Sequence, residues 1–344
     1  MKTKLTNFLI AVLFFAKADA TVRTVNNTNA GAGQYLQLDA AIIASNPGDT
    51  IYVSKSATAY ASFTISKSIT IIGPGTFAQT QIPFGATLNQ VTINSNISNI
   101  TLRGLKFIST IVNATTNVHQ LTISDNYFGP SAGITFSGIS NCSDFIISNN
   151  IFTTSGDAIY SYNTGGSFNF IVENNIFAQS KITAFNFPNG VIQNNTFCNT
   201  NGGNAFGNFN AVPSGLLIKN NIFYNSHPSN NTSSCTFLNN ITYSTTVTYP
   251  VLGGTNIDNT DPLFMNVATS GAFSINYNYD LQSSSLANNA GTDGTDLGYY
   301  GGTTHVSILG EPQNVPVIRA MDIPNNNIPL NGNVNVKVLS TKAR

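Results

Sequence analysis

Residues 145–163 read FIISNNIFTTSGDAIYSYN. At the centre, SNNIF sets two polar amides before two apolar residues. Close variants follow the same plan: SDNYF from Ser124, ENNIF from Glu173, QNNTF from Gln193, KNNIF from Lys219 and LNNIT from Leu238. Counted on the second polar residue, the series is Asn126, Asn150, Asn175, Asn195, Asn221 and Asn240, with Gly104 of LRGLKF extending it upstream. A spacing of 19 to 26 residues is the length of one supersecondary unit that stacks on its neighbours. ITIIGPGT from Ile69 and VTINSN from Val91 read as looser, earlier turns. Leucine-rich repeats are excluded, because no LxxLxLxxN frame recurs.

Each unit contains three short strand-like runs. FNFIVE (168–173) alternates and ends at the amide pair, IFA follows at once, and ITAFNF (182–187) comes after a variable loop. Three strands per turn, broken by corners, close a triangular coil in which each strand pairs with its counterpart about 4.8 Å away. Alternation then sends Ile147, Phe152, Ile171, Phe177 and Phe197 into the lumen. The amides fit the corners, since Asn tolerates left-handed backbone angles best after Gly. Stacked Asn side chains can also form a hydrogen-bonded ladder.

A stack of strands has open ends that need covers. YLQLDAAIIAS (35–45) reads as an amphipathic helix whose Leu36, Leu38, Ile42 and Ile43 face the first coil, and PGDTIYVS starts the first strand. From Thr260 the repeat is lost. The expected fold is all-β: a right-handed parallel β-helix solenoid with an N-terminal capping helix and a C-terminal strand appendage. The expected division is a signal peptide at 1–20, the solenoid with its cap at 21–310, and capping strands or an appendage at 311–344.

The opening MKTKLTNFLIAVLFFAKADA has a positive start, a short apolar middle and a small-residue cleavage site, the three parts of a secretory signal. Its apolar run is too short to span a bilayer, and no later segment is apolar enough. The expected address is therefore extracellular, cell-surface or periplasmic. Only 8% of residues are charged and the formal net charge is zero. Nucleic-acid binding, which leans on clustered Lys and Arg, is not expected. Disorder is excluded by 41% hydrophobic and 10% aromatic residues. Cys142, Cys198 and Cys235 are odd in number and lack zinc spacing; they read as small buried residues, and a bridge from Cys142 to either of the others stays open.

PGDTIYVS, ITIIGPGT and the recurring xIxNNxF resemble the right-handed parallel β-helix proteins related to pectate lyases. The ending DPLF…DLQSSSLANNAGTDGTDLGYYG resembles the C-terminal part of secreted bacterial members. The resemblance spans roughly Ala32 to Gly302. It implies an extracellular protein, a polysaccharide lyase or hydrolase in many members and a non-catalytic surface protein in others. It also implies a substrate groove beside the first strand, flanked by the longer loops.

Uronan lyases of this fold need a Lys or Arg base, and calcium held by several acids typically neutralises the uronate. Hydrolases need two carboxylates at a set separation. Between Gly85 and Tyr249 the acids are Asp125, Asp144, Asp157 and Glu173, and the bases are Arg103, Lys106, Lys181 and Lys219, with His119 and His227. Asp125 and Glu173 belong to the amide corner, away from the groove, and Asp144 lies before a strand. Asp157 and Lys181 precede the groove strands of consecutive coils and are expected to be neighbours. They are the candidate catalytic pair, set against a plain surface ion pair. In DAIYSYN an inward Ile159 turns Tyr160 and Tyr162 outward, where Phe185 and Phe206 or Phe209 of the next coils join them. Tyr160, Tyr162 and Phe185 are the candidate ligand-binding residues, because rings stack on sugars. The histidines show no metal spacing: His119 reads as opening a strand, His227 as lying in a polar loop and His305 as near the C-terminal cap, with a solvated loop histidine as the default. Asp293 and Asp296 read as turn formers rather than calcium ligands.

The expected function is association with extracellular polysaccharide, without efficient catalysis. Polysaccharide lyase and structural surface module are the alternatives. No cofactor or metal is expected, with calcium implied only if the protein is a lyase.

Overall fold

The computed structural model describes residues 20–28, 33–75, 85–108, 111–114, 116–137, 140–162, 168–184, 187, 189–207, 215–228, 232, 234–303, 316–322 and 337–342. The expected signal segment before Ala20 lies outside the described residues.

Three parallel sheets wind into a solenoid. The first has ten strands from Val22–Val25 to Thr236–Leu238, the second eight from Ala86–Leu88 to Ile241–Tyr243, and the third seven from Phe63–Ile65 to Phe206–Gly207. Every strand pairs with its counterpart in the next coil, as Ser143–Ser148 does with His119–Ser124 and Phe168–Glu173. The strands are short because corners interrupt them every few residues.

The lumen is filled by a column of rings. Phe107, Phe128, Phe152, Phe177, Phe197 and Phe223 stack in succession, with centroids 4.8, 4.6, 5.0, 4.6 and 5.1 Å apart. All six are fully buried. In-register pairing of identical residues produces this, since each ring sits one strand spacing above the last. Ile147 faces inward as expected. Ile171 does not. Phe170 and Val172 hold the inward positions of FNFIVE, and Ile171 joins the outer row of Ile146 and Val191. A one-residue slip exchanges the faces of a strand.

At the corner joining the first and second sheets, the two amides of each pair have different tasks. The first carries the left-handed bend: Asp125, Asn149, Asn174, Asn194, Asn220 and Asn239 have φ between 51° and 57°. The second points inward and builds the ladder. Asn175 Oδ1 accepts from both the backbone N–H and the Nδ2 of Asn150, at 2.9 and 3.0 Å, and the bond pair repeats from Asn126 through Asn240 to Asn256. Gly104 therefore belongs to the first slot. Its φ is 65°, it follows Arg103, which pairs with Ser124, and Leu105 fills the ladder slot by donating its N–H to Asn126 Oδ1. The sequence assignment was one residue out there because Gly suits the bend and cannot serve the ladder.

The N-terminal cover begins earlier than expected, with Val22–Val25 pairing parallel to Thr50–Val53. The helix, Leu38–Ala44, buries Leu38, Ala41 and Ile42, while Leu36 and Ile43 are exposed. Leu36 precedes the helix, and Ile43 stands about 100° around the axis from Ile42, off the buried stripe.

Past Thr260 the chain runs back as a strap over the outer face of the second sheet. Phe264, Tyr279, Leu297 and Tyr299 cover Ile151, Ile176, Ala178, Cys198, Ile222 and Tyr224. This is why IFA at 176–178 is buried on both faces. The bend amides clasp the strap. Asn174 Nδ2 donates to the carbonyls of Tyr299 and Gly301 at 2.9 and 2.7 Å, Asn220 exchanges hydrogen bonds with Thr292, and Asn239 Nδ2 donates to Ala290 O. Beyond the strap, Pro316–Asp322 and Lys337–Lys342 form an antiparallel pair, the strands expected of the appendage. Cys142 and Cys198 are buried, Cys235 is half-buried, and all three are free thiols, so no bridge joins them.

Candidate functional site

Asp157 and Lys181 are the first residues of neighbouring strands of the third sheet, Asp157–Tyr162 and Lys181–Thr183, and they oppose each other in register. Lysine Nζ stands 3.6 Å from Asp157 Oδ1. The Thr183 hydroxyl donates to the same oxygen at 2.6 Å. Both charged side chains remain about two-fifths exposed, at 42% and 38%, so the pair adds little to stability. A pair kept at the surface for little gain is available to a ligand.

Two open depressions flank it at the corner between the second and third sheets. One, of about 300 Å³, is lined by Ser131, Gly133, Thr135, Thr154, Asp157 and Tyr160. The other, of about 240 Å³, is lined by Ser155, Gln179, Ser180, Lys181, Asn199 and Asn204. Together they make a strip of hydroxyls and carboxamides with one carboxylate, one ammonium and one phenol. The Lys181 depression is lined by hydroxyls and carboxamides, while the Asp157 depression, which Ala132 also lines, combines hydroxyls with apolar surface.

Ile159 is buried and Tyr160 is half-buried on the outer face, between Thr135 and Thr183 of the adjacent coils. Tyr162 continues the strand opposite Ser137. Its side chain, Phe185 and Phe209 lie outside the described residues. Phe206 is not part of an outer ring row. It is fully buried and packs edge-on against Phe197 and Phe223 in the lumen.

The remaining ionisable groups lie elsewhere. Asp125 is buried at the amide corner, 2.8 Å from Arg103; burial raises its carboxyl above the usual range in spite of that cation. Glu173 accepts from Gln193 at the same corner. His119 opens a strand, with Nδ1 2.8 Å from Ser143 Oγ and Nε2 3.1 Å from Asn117 Oδ1. His227 departs from the solvated-loop expectation. It ends the strand Ile222–His227, is buried against the Tyr249 ring, and has its pKa lowered by that burial. His305 lies outside the described residues. Asp293 accepts from the N–H and hydroxyl of Thr295, and Asp296 accepts from Asn289 N–H, both in turns.

Among the described residues no three His, Cys, Asp or Glu side chains converge. Calcium takes six to eight oxygens. Around Asp157 the donors are one carboxylate and one threonine hydroxyl beside an ammonium, a set that does not fit a resident calcium ion. The sequence reading missed Gln179, Ser180, Asn199 and Asn204. The signal for them was positional: Gln179 and Ser180 follow the strand Ile176–Ala178, and Asn199 and Asn204 lie in the irregular later part of Thr196–Asn204, both leading into the third sheet.

No protein-family model matches the chain, and no curated protein does. Among solved structures it is similar to pectate lyase Pel9A, at 15% identity and a TM-score of 0.39 over 81% of this chain and 96% of that one. It is also similar to a mutant of the PL6 family alginate lyase AlyGC, at 13% identity and a TM-score of 0.26 over 82% of this chain and 59% of that one. The parallel β-helix read from xIxNNxF is the fold that the strand pairing shows.

Proposed function

We propose that this protein is exported and associates with extracellular polysaccharide along the corner of its second and third sheets. The carrying observation is the pair of depressions itself: one lined by hydroxyls, Asp157 and Tyr160, the other by hydroxyls, carboxamides and Lys181, with the Asp157–Lys181 pair between them. A glycan chain lying along the coils would set sugar hydroxyls against these groups and a ring face against Tyr160. The reading is of binding rather than efficient turnover, because Asp157 is the one carboxylate lining either depression. Two carboxylates across a scissile bond, as most glycoside hydrolases use, are not brought together there.

Retention on insoluble polysaccharides and on glycan arrays tests this. Wild-type protein should be retained by at least one glycan, and Tyr160→Ala should weaken that binding about tenfold, the loss expected for one stacking ring. Failure to bind any member of a broad panel would sink the reading.

The Asp157–Lys181 pair supports a second reading, uronan β-elimination with Lys181 as the base. It predicts growth of unsaturated-uronate absorbance on acidic polysaccharides, with calcium added, and its loss in Lys181→Ala. Activity surviving that substitution removes Lys181 from the role.

A further inference from the structure

The outer face of the first sheet carries a row of side chains in register along the solenoid. In the early coils it is polar: Thr50, Thr70, Thr101 and Thr122 stand one above the other. The next four coils put Ile146, Ile171, Val191 and Leu217 in the same slot, and the last returns to Thr236. The early coils show that a hydroxyl fills this slot within the same fold. Thr is β-branched and suits a strand as Ile and Val do, so strand formation does not explain the aliphatic run. All four aliphatic residues are half-exposed and belong to neither buried cluster. The strap covers the second sheet instead.

Beside this row, toward the amide corner, a second outward row reads Glu173, Gln193 and Lys219 in consecutive coils. Gln193 Nε2 donates to Glu173 at 2.6 Å. Glu173 and Lys219 stand two coils apart, about 10 Å, too far to pair with each other. Among the described residues neither enters an ion pair, and Lys219 acts on Asp293 of the strap only at longer range.

An acid, an amide and a base in that order complement themselves when the order is reversed. A two-fold axis along the strand Val191–Gln193 turns a second copy end for end and lays each row on its own counterpart. Val191 then meets its own copy on the axis, Ile171 meets the partner's Leu217, and Glu173 meets the partner's Lys219. An apolar stripe edged by matched charges is the anatomy of an isologous interface. The overlap spans about five coils of about 4.8 Å and three outward residues per strand, roughly 500 Å² per copy, which places the dimer at the weak, concentration-dependent end.

We infer that the outer face of the first sheet is a docking surface for a second copy of this chain, packed antiparallel about a two-fold axis at Val191 and Gln193. The third sheet of each copy stays uncovered in that dimer, so the inference stands independently of the glycan reading.

Sedimentation velocity of the full chain, from micromolar to sub-millimolar concentration, tests it. Wild-type protein should pass from monomer to dimer over that range. Val191→Glu sets two carboxylates against each other on the axis and should remain monomeric. Glu173→Lys and Lys219→Glu should each weaken association at least about tenfold, because like charges then face each other. Mixing those two variants, or combining both changes in one chain, should restore association, which a misfolded variant would not do. Thr101→Glu lies in the same row beyond the overlap and should dimerise as wild type does. Wild-type protein that stays monomeric throughout would overturn the inference. So would a dimer indifferent to Val191→Glu, or charge-swapped variants that fail to associate when mixed.

Discussion

At the corner between the first and second sheets, two neighbouring amides are chemically alike and physically different. The first sits in the left-handed region, which Gly and Asn enter most easily and where other side chains are disfavoured. The second is buried and fully bonded. Asn175 donates Nδ2 to Ile147 O at 2.9 Å and accepts two bonds from Asn150. Asn175→Ala leaves those groups without partners, so a loss of roughly 3 kcal/mol in urea unfolding is expected. Asn149→Gly, at φ 57°, should fall within about 0.5 kcal/mol of wild type, and Asn149→Ala should cost about 1 kcal/mol. Equal costs at the two positions would contradict this division. Asp49 shows the same dependence on local donors. Burial pushes its carboxyl up, but the N–H groups of Asn46 and Thr21 and the Arg23 guanidinium outweigh burial and hold it below its ordinary 3.8. A lowered carboxyl stabilises the fold above the unfolded value and loses that contribution as pH falls through the folded one. Stability should therefore drop below pH 3.8 in wild type, and Asp49→Asn should be less stable near neutrality with a flatter acid limb. Parallel acid limbs in the two proteins would refute the assignment.

The strap is the element whose role is most exposed to test. Cys198 lies beneath it, fully buried, with burial pushing the thiol up to about 12. An intact strap should keep Cys198 inert to thiol reagents. Tyr299, buried at the strap end held by Asn174, packs over the same face. Tyr299→Ala removes a large buried ring, so a cost of about 3–5 kcal/mol is expected, together with faster labelling of Cys198. Labelling that stays at the wild-type rate would show that the strap does not protect this face. Among the described residues the third sheet has no such cover over Asp157, Lys181 and Tyr160, and that difference between sheets leaves the proposed site open.

Taken whole, the molecule is a one-dimensional stack, in which each coil contacts only its neighbours and the strap crosses several of them. The phenylalanine column is continuous through six coils, so a gap in its middle is shared by the coils on either side. Phe177→Ala should cost about 3–5 kcal/mol and raise amide hydrogen exchange in the strands of Phe152 and Phe197 as well as its own. Exchange confined to the mutated coil would mean that the rings pack independently. The proposed glycan binding belongs to this scale too, because the depressions are lined by residues of successive coils and exist only when the coils are in register.

The sequence by itself determined the coil. A period of 19 to 26 residues, paired amides and apolar residues beyond them leave few structures besides a stacked parallel solenoid, because each local preference agrees with the others. It also placed Asp157 beside Lys181, since residues at matching points of consecutive repeats become neighbours across one strand spacing. Only the tertiary structure decided which face each residue takes. Ile171 turned outward and Phe206 inward, because period-two alternation fixes a pattern but not its phase. The strap escaped the sequence reading for a different reason. Residues 260–303 carry no repeat, and their place over the second sheet is set by apolar burial and by asparagine clasps 51 to 127 residues away in the chain. Local pattern carries no information about such contacts, so the strap and the Gln179–Asn199 rim beside it became legible only when the chain was folded.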